Sequence, residues 1–205
     1  MDSKAAKNAQ NIKMLNLPVK DEDIRGLKTG DIFYISGSLA TGRDEVHRRV
    51  AQDGIMPPVD LNGMAVYHAG PIVRENSGEP RYELVSIGPT SSIRMEKWAA
   101  DFIKKTGVKI MIGKGGMGEK TAQACRRYGA IHCVYPGGCA VLGASQIEKI
   151  SGVCWQEFGM AECLWVMNAI QFGPLIVSID TTGSNLFAEN SVYYTSRKEN
   201  HSKLP

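Results

Sequence analysis

Two arginines, a lysine and two adjacent hydroxyls are the residues of this chain whose positions suggest chemistry: Arg43, Arg94, Lys114, Thr90 and Ser91. The run from Tyr82 to Met95 reads as a strand, a Gly88-Pro89 turn, a hydroxyl cluster and the first turn of a helix. Backbone N–H groups at a helix start lack intrahelical acceptors and lie at the positive end of the helix dipole, so residues 90–93 can hold a carboxylate or a phosphate. Arg94 adds a forked cationic donor. The same segment also reads as an ordinary N-cap, with Ser91 or Ser92 closing the helix and Arg94 in solvent. Arg43 stands just before a helix that opens on Asp44 and Glu45, where the dipole disfavours a cation unless an anion is bound; a solvated surface arginine is the alternative. Lys114 lies in Gly113-Lys114-Gly115-Gly116-Met117-Gly118, and such glycines usually mean that backbone or ligand comes close. Three cations and two hydroxyls on loops that should converge would suit a ligand with two carboxylates.

Other chemistries fit less well. The Gly113 loop matches G-x-G-x-x-G between a strand and a helix, but the acidic residue due about 20 positions later is replaced by Tyr135-Pro136-Gly137-Gly138. It is not a Walker loop either, because Lys114 precedes the remaining glycines. No G-x-S-x-G occurs, no histidine shows an obvious serine or cysteine partner, and His47 reads as an exposed helix residue. The five cysteines are odd in number and contain no Cys-x-x-Cys. Reduced thiols are expected, with no metal site.

The elements that must position these residues change character along the chain. Ile32 to Ser36 has the β-branched and aromatic content of a strand ending at Gly37. A loop and short helix through Val50 follow. Asp60-Leu61-Asn62-Gly63 is a hairpin-type signal before a strand at 64–68, so the first third reads as antiparallel. From Arg81 onward strands alternate with helices. Met95, Trp98, Ala99, Phe102 and Ile103 share one helix face, and Gly107 is its stop. A strand at 108–112 leads to a helix through about Tyr128, with Gly129 as stop, and the scheme repeats from Ala130 to about Ile147. Such units imply parallel strands joined by right-handed crossovers, with their glycine-bearing loops at one sheet edge. Residues 161–170 and 174–180 read as a short apolar segment and a buried strand.

At 205 residues and 43% hydrophobic composition the chain can bury one core, and no linker divides it. The organisation read is an N-terminal arm (1–16), one domain (17–190) and a polar C-terminal tail (191–205). A net charge of +3 with interspersed signs does not describe a nucleic-acid binder. No apolar run reaches bilayer-spanning length and the first ten residues lack the apolar core of an export signal, which points to the cytoplasm.

With these residues in hand the chain resembles the β subunit of the two-subunit class I hydro-lyases, namely class I fumarate hydratase and L(+)-tartrate dehydratase. The resemblance spans about 17–190. It rests on residues 37–44 (GSLATGRD), 60–63 (DLNG), 68–71 (HAGP), 88–95 (GPTSSIRM), 113–116 (GKGG) and 172–174 (FGP). It implies an α/β fold of the swivelling β/β/α type, a mainly parallel sheet with a second, antiparallel sheet. It further implies reversible removal of water from a C4 2-hydroxy dicarboxylate by a hetero-oligomer. The four-iron four-sulfur cluster would be held by the α subunit, its open iron acting as Lewis acid on the leaving hydroxyl. By resemblance Thr90 is the base for the C3 proton, Arg43 and Arg94 bind carboxylates, and Lys114 binds substrate. Ser91 stands where many relatives have a second threonine. The proton acceptor behind Thr90 and the donor to the leaving hydroxyl are expected from the α subunit. Residues 113–118, 164–166 and 172–180 lean toward tartrate dehydratase β subunits. A non-catalytic anion-binding or assembly domain, and more distantly a nucleotide-binding module, remain open at this point.

Overall fold

The computed structural model describes residues 13–201. Strand β1 (Lys13–Asn16) and helix α1 (Asp21–Arg25) lead to β2 (Ile32–Thr41), α2 (Asp44–Ala51) and β3 (Ala65–Tyr67). The hairpin β4 (Ile72–Glu75) and β5 (Tyr82–Ser86) precedes a 3-10 turn (Ser92–Met95) and α3 (Glu96–Thr106). Then come β6 (Ile110–Gly113), α4 (Glu119–Tyr128), β7 (Ile131–Val134) and α5 (Ala140–Ser145). The chain continues through β8 (Ile147–Cys154) and β9 (Leu164–Ile179) to α6 (Leu186–His201).

The main sheet has the order β1-β2-β3-β6-β7-β9-β8, and β4 and β5 form a separate antiparallel pair. Strands β1, β2, β3, β6 and β7 are mutually parallel, whereas β9 runs antiparallel to β2, β7 and β8. Residues 166–176 of β9 pair with β2 and residues 176–179 with β7, so β2, β3, β6, β7 and β9 close into a ring of pairings. The α/β class, with a mainly parallel sheet and a second antiparallel one, is the one expected from the resemblance.

Side-chain alternation along the short parallel strands divides the core in two. Ala65, Tyr67, Ile110, Ile112, Ile131 and Cys133 point into the ring, where Phe33, Leu39, Met167 and Phe172 meet them. Val66 and Met111 point the other way, onto Val46, Val50, Ala99, Phe102 and Ile103 of α2 and α3. The face predicted for α3 is therefore the buried one, except that Trp98 is only partly covered. Gly107 and Gly129 end α3 and α4 in the left-handed conformation, as their positions predicted.

Several expectations are corrected. The first third is not antiparallel: β2 and β3 are parallel neighbours, because α2 carries the chain back over the sheet between them. Residues 60–63 accordingly form no hairpin but a local turn in which the Asp60 carboxylate accepts the Asn62 N–H at 2.9 Å. β2 does not stop at Gly37; it continues to Thr41 through a register shift there. β5 pairs only with β4, so the strand feeding the Thr90 turn lies outside the main sheet. The third unit does not pair its two strands directly: α5 leads to β8, which runs in the same sense as β7 but is separated from it by β9, antiparallel to both. Residues 161–170 and 174–180 belong largely to the single long strand β9. Lys13–Asn16, assigned to the arm, pair with residues 33–36 of β2, and residues 191–201 lie in α6. The remaining arm residues, 1–12, lie outside the described part. No helix of the described residues is long and apolar enough to cross a membrane.

Candidate functional site

Parallel strands place their C-terminal ends at one edge, and the loops that carry the predicted site residues leave from there. Gly42 and Arg43 follow β2, His68 to Gly70 follow β3, and Lys114 follows β6. The Thr90 turn reaches this edge from the small sheet and is sewn into it by backbone pairing. Thr90 N–H donates to His68 O at 2.7 Å, Lys114 N–H to Thr90 O at 3.1 Å, and Ser92 N–H to Lys114 O at 3.0 Å. Ala69 and Pro89 form a further bridge. Arg43 packs against Gly70, where a Cβ would lie 2.7 Å from its guanidinium, and Lys114 lies along Gly137. All five predicted residues are thus drawn onto one cluster of loops.

The stitching changes the first reading of the turn. The N–H groups of Thr90 and Ser92 are taken by protein carbonyls, so residues 90–93 do not present a full set of free donors. Ser92 does not cap a helix either; its hydroxyl is buried and meets His68 Nδ1 at 2.9 Å. Thr90 Oγ1 has no hydrogen-bond partner among the described residues, and its side chain is half-buried.

The arginines already have anions. Arg43 pairs with Glu162 at 2.9 Å, and the second oxygen of Glu162 accepts the Glu45 N–H at 3.2 Å in the first turn of α2. Glu162 therefore answers the puzzle of a cation before a helix N-terminus: a carboxylate 117 residues beyond Glu45 fills the positive end of α2. Arg94 pairs with Asp44 at 2.7 Å. Lys114 is exposed and makes no ion pair among the described residues. Neither Glu162 nor Asp44 was legible as a partner, because both contacts join segments far apart in sequence.

His47 is fully buried rather than exposed, stacked on Phe102 at 4.2 Å and edge-on to His68 at 5.0 Å. Its Nδ1–H donates to Arg43 O at 2.9 Å. His68 and His132 do have serine partners, Ser92 and Ser178. Desolvation lowers all three imidazoles, His47 to about 4, His132 to about 3 and His68 well below its ordinary value. The signal that could have found His68 is strand alternation, which puts it on the face of Val66 immediately before the Ala69-Gly70-Pro71 break.

The nucleotide alternative meets a filled site. At the N-terminus of α4 the Glu96 carboxylate accepts Gly118 N–H at 2.7 Å and the Thr121 hydroxyl at 2.5 Å, occupying the place a phosphate would take. Phe187 covers Gly116.

This chain's own residues do not fit an iron-sulfur cluster. Its five cysteines are free, and burial holds the thiols of Cys125, Cys133, Cys154 and Cys163 above the ordinary range, against the thiolate a cluster needs. Among the described residues no three His, Cys, Asp or Glu side chains group as a metal centre requires.

The ring of pairings, the small hairpin and this cluster of loops define a class: residues 1–190 match the model of the fumarase C-terminus family, and the chain belongs to it as a β subunit of the class I hydro-lyase type. The L(+)-tartrate dehydratase subunit beta of Escherichia coli K12 is 50% identical over 187 residues, 91% of this chain and 92% of that protein. A putative L(+)-tartrate dehydratase subunit beta of Methanocaldococcus jannaschii is 38% identical over 172 residues, 82% of this chain and 87% of the relative. A putative fumarate hydratase class I of Geobacillus stearothermophilus is 39% identical over 173 residues, which are 84% of this chain and 33% of that longer protein.

Proposed function

We propose that this chain is the carboxylate-binding half of a hydro-lyase that reversibly removes water from a C4 2-hydroxy dicarboxylate, L-tartrate rather than malate. The observation that carries the reading is the joining of the Arg43, Thr90–Arg94 and Lys114 loops into one cluster by backbone bonds and close packing. The 50% identity to a tartrate dehydratase subunit, against 39% to a fumarate hydratase, supports the choice of substrate.

In this reading Arg43 and Arg94, anchored by Glu162 and Asp44, offer their remaining guanidinium donors to the two substrate carboxylates, and Lys114 adds charge at the exposed side. Ser91 donates a hydroxyl to the same ligand. Thr90 Oγ1 takes the C3 proton. An alcohol is a weak base, so that proton must pass to an acceptor, and Thr90 has none bonded to it among the described residues. An α subunit therefore supplies the acceptor and holds the four-iron four-sulfur cluster, and the active species is a hetero-oligomer.

A second reading has a specific observation in its favour: both arginines are paired internally and Thr90 has no acceptor among the described residues, as in a non-catalytic anion-binding or assembly domain. Anaerobic assembly with the α subunit and assay on L-tartrate and malate tests the first reading, and substantial turnover by the isolated chain would sink it. T90A then separates the two: loss of turnover with retained assembly supports the base, and unchanged turnover supports the binding domain.

A further inference from the structure

Behind the site loops, on the helix-facing side of the sheet, lies a layer of three imidazoles that the proposed chemistry does not use. His47, His68 and His132 are fully buried, with ring centroids 5.0 Å apart for His47 and His68 and 6.0 Å for His68 and His132. The Nε2 atoms of all three are buried without a hydrogen-bond partner among the described residues. Unpaired buried polar atoms are costly, so a layer containing three of them needs a reason other than stability.

His68 is the member joined to the site. Its N–H donates to Ile112 O at 2.7 Å and its carbonyl accepts Thr90 N–H at 2.7 Å, so its backbone lies between β6 and the Thr90 turn. Its side chain makes the second connection, Nδ1 to Ser92 Oγ at 2.9 Å. Ser92 Oγ has no other partner among the described residues; its O–H then donates to Nδ1, and His68 carries its own proton on Nε2. The space for this bond exists because residue 113 is glycine. A Cβ there would lie 1.9 Å from Ser92 Oγ and 3.0 Å from His68 Nδ1. His47 holds the opposite side of the layer, donating to Arg43 O.

We propose that His68 is a positioning residue that acts through Ser92 to fix the Thr90–Ser91 turn against the Lys114 strand end. The inference rests on the reading of Thr90 as base. A side-chain bond two residues beyond Thr90, added to the backbone bond at Thr90 itself, fixes the backbone that carries the hydroxyl relative to the arginines. Arg43 and Arg94 owe their places to Glu162 and Asp44, so loss of the His68–Ser92 bond should affect turnover more than substrate affinity.

The test uses S92A, H68L and H68N in two settings. In the assembled enzyme on L-tartrate, S92A and H68L should lower kcat about 10- to 100-fold, with KM changed by less than about threefold. H68N, whose amide can meet Ser92 in place of Nδ1, should restore most of the loss. In the isolated full-length chain, methyl-labelled at threonine, the Thr90 methyl resonance should move in S92A and H68L and return toward its original position in H68N. The proposal is overturned if that resonance stays in place in S92A, if KM rises as much as kcat falls, or if H68N is no better than H68L. Should H68L fail to fold, S92A decides alone. Absence of turnover in the wild-type assembly would remove the hydro-lyase reading, while the methyl resonance would still judge the coupling of His68 to Thr90 through Ser92.

Discussion

Asp44 Oδ2 lies 2.7 Å from the Arg94 guanidinium, an ion pair without hydrogen-bond alignment that joins the first turn of α2 to the turn before α3. With 47% of the Arg94 side chain and 24% of Asp44 exposed, the pair contributes little to folding. Its consequence is for the ligand. A guanidinium that uses one nitrogen on Asp44 keeps its other donors for a substrate carboxylate. R94A should leave the thermal midpoint nearly unchanged and raise KM for L-tartrate about 10- to 100-fold, the worth of a charge-assisted hydrogen bond of roughly 1.5–3 kcal/mol. Steady-state kinetics on the assembled enzyme checks it, and an unaltered KM would remove Arg94 from the binding set.

Glu162 has two tasks that substitutions can separate. It pairs with Arg43 and it caps α2 through Glu45 N–H. E162A loses both and should cost about 1–2 kcal/mol in urea unfolding, the usual worth of a cap. E162Q keeps a neutral acceptor for the cap and should cost less, yet should raise KM like E162A because Arg43 loses its charged anchor. Equal stability of the two variants would show that the cap contributes nothing.

Gly113 is required by its neighbours rather than by its own backbone. G113A forces a Cβ onto Ser92 Oγ and should destabilise the chain by about 1–3 kcal/mol through overpacking. In an S92A background the offending oxygen is gone, so the penalty should shrink and the double-mutant cycle should be clearly non-additive. Thermal unfolding of the three variants measures the coupling energy; additivity would mean that the two residues do not meet in solution.

Stability should fall on mild acidification. The unfolded chain protonates its histidines near 6.5, whereas burial lowers His47 to about 4, His132 to about 3 and His68 well below 6.5. The unfolded state therefore binds more protons below pH 6.5. The stability contributed by these neutral imidazoles is complete above that pH and is lost progressively as pH falls toward 4 and below. Going from pH 7.5 to 5.5 should remove about 4 kcal/mol for the three together. Urea midpoints across that range check the sign, and a flat profile would mean that the layer admits water or protons.

The sequence by itself determined the features that depend on near neighbours. The apolar face of α3 follows from Ala99, Phe102 and Ile103 at helical spacing, and the stops at Gly107 and Gly129 follow from the left-handed conformation that glycine adopts freely. The cations of the site were visible as Arg43, Arg94 and Lys114 beside glycine-bearing turns, and the motifs around them were enough to indicate the family. The tertiary structure alone decided which strand β5 joins, that β9 closes the ring, and that Glu162, Asp44 and Glu96 fill the anion places at Arg43, Arg94 and the α4 N-terminus. It also decided that His47 and His68 are buried, reversing the surface reading of His47. Periodicity and capping are set within a few residues, so a linear sequence displays them. Strand pairing, ion partners and burial are set by which segments meet after folding, and those meetings here join residues as far apart as Glu45 and Glu162.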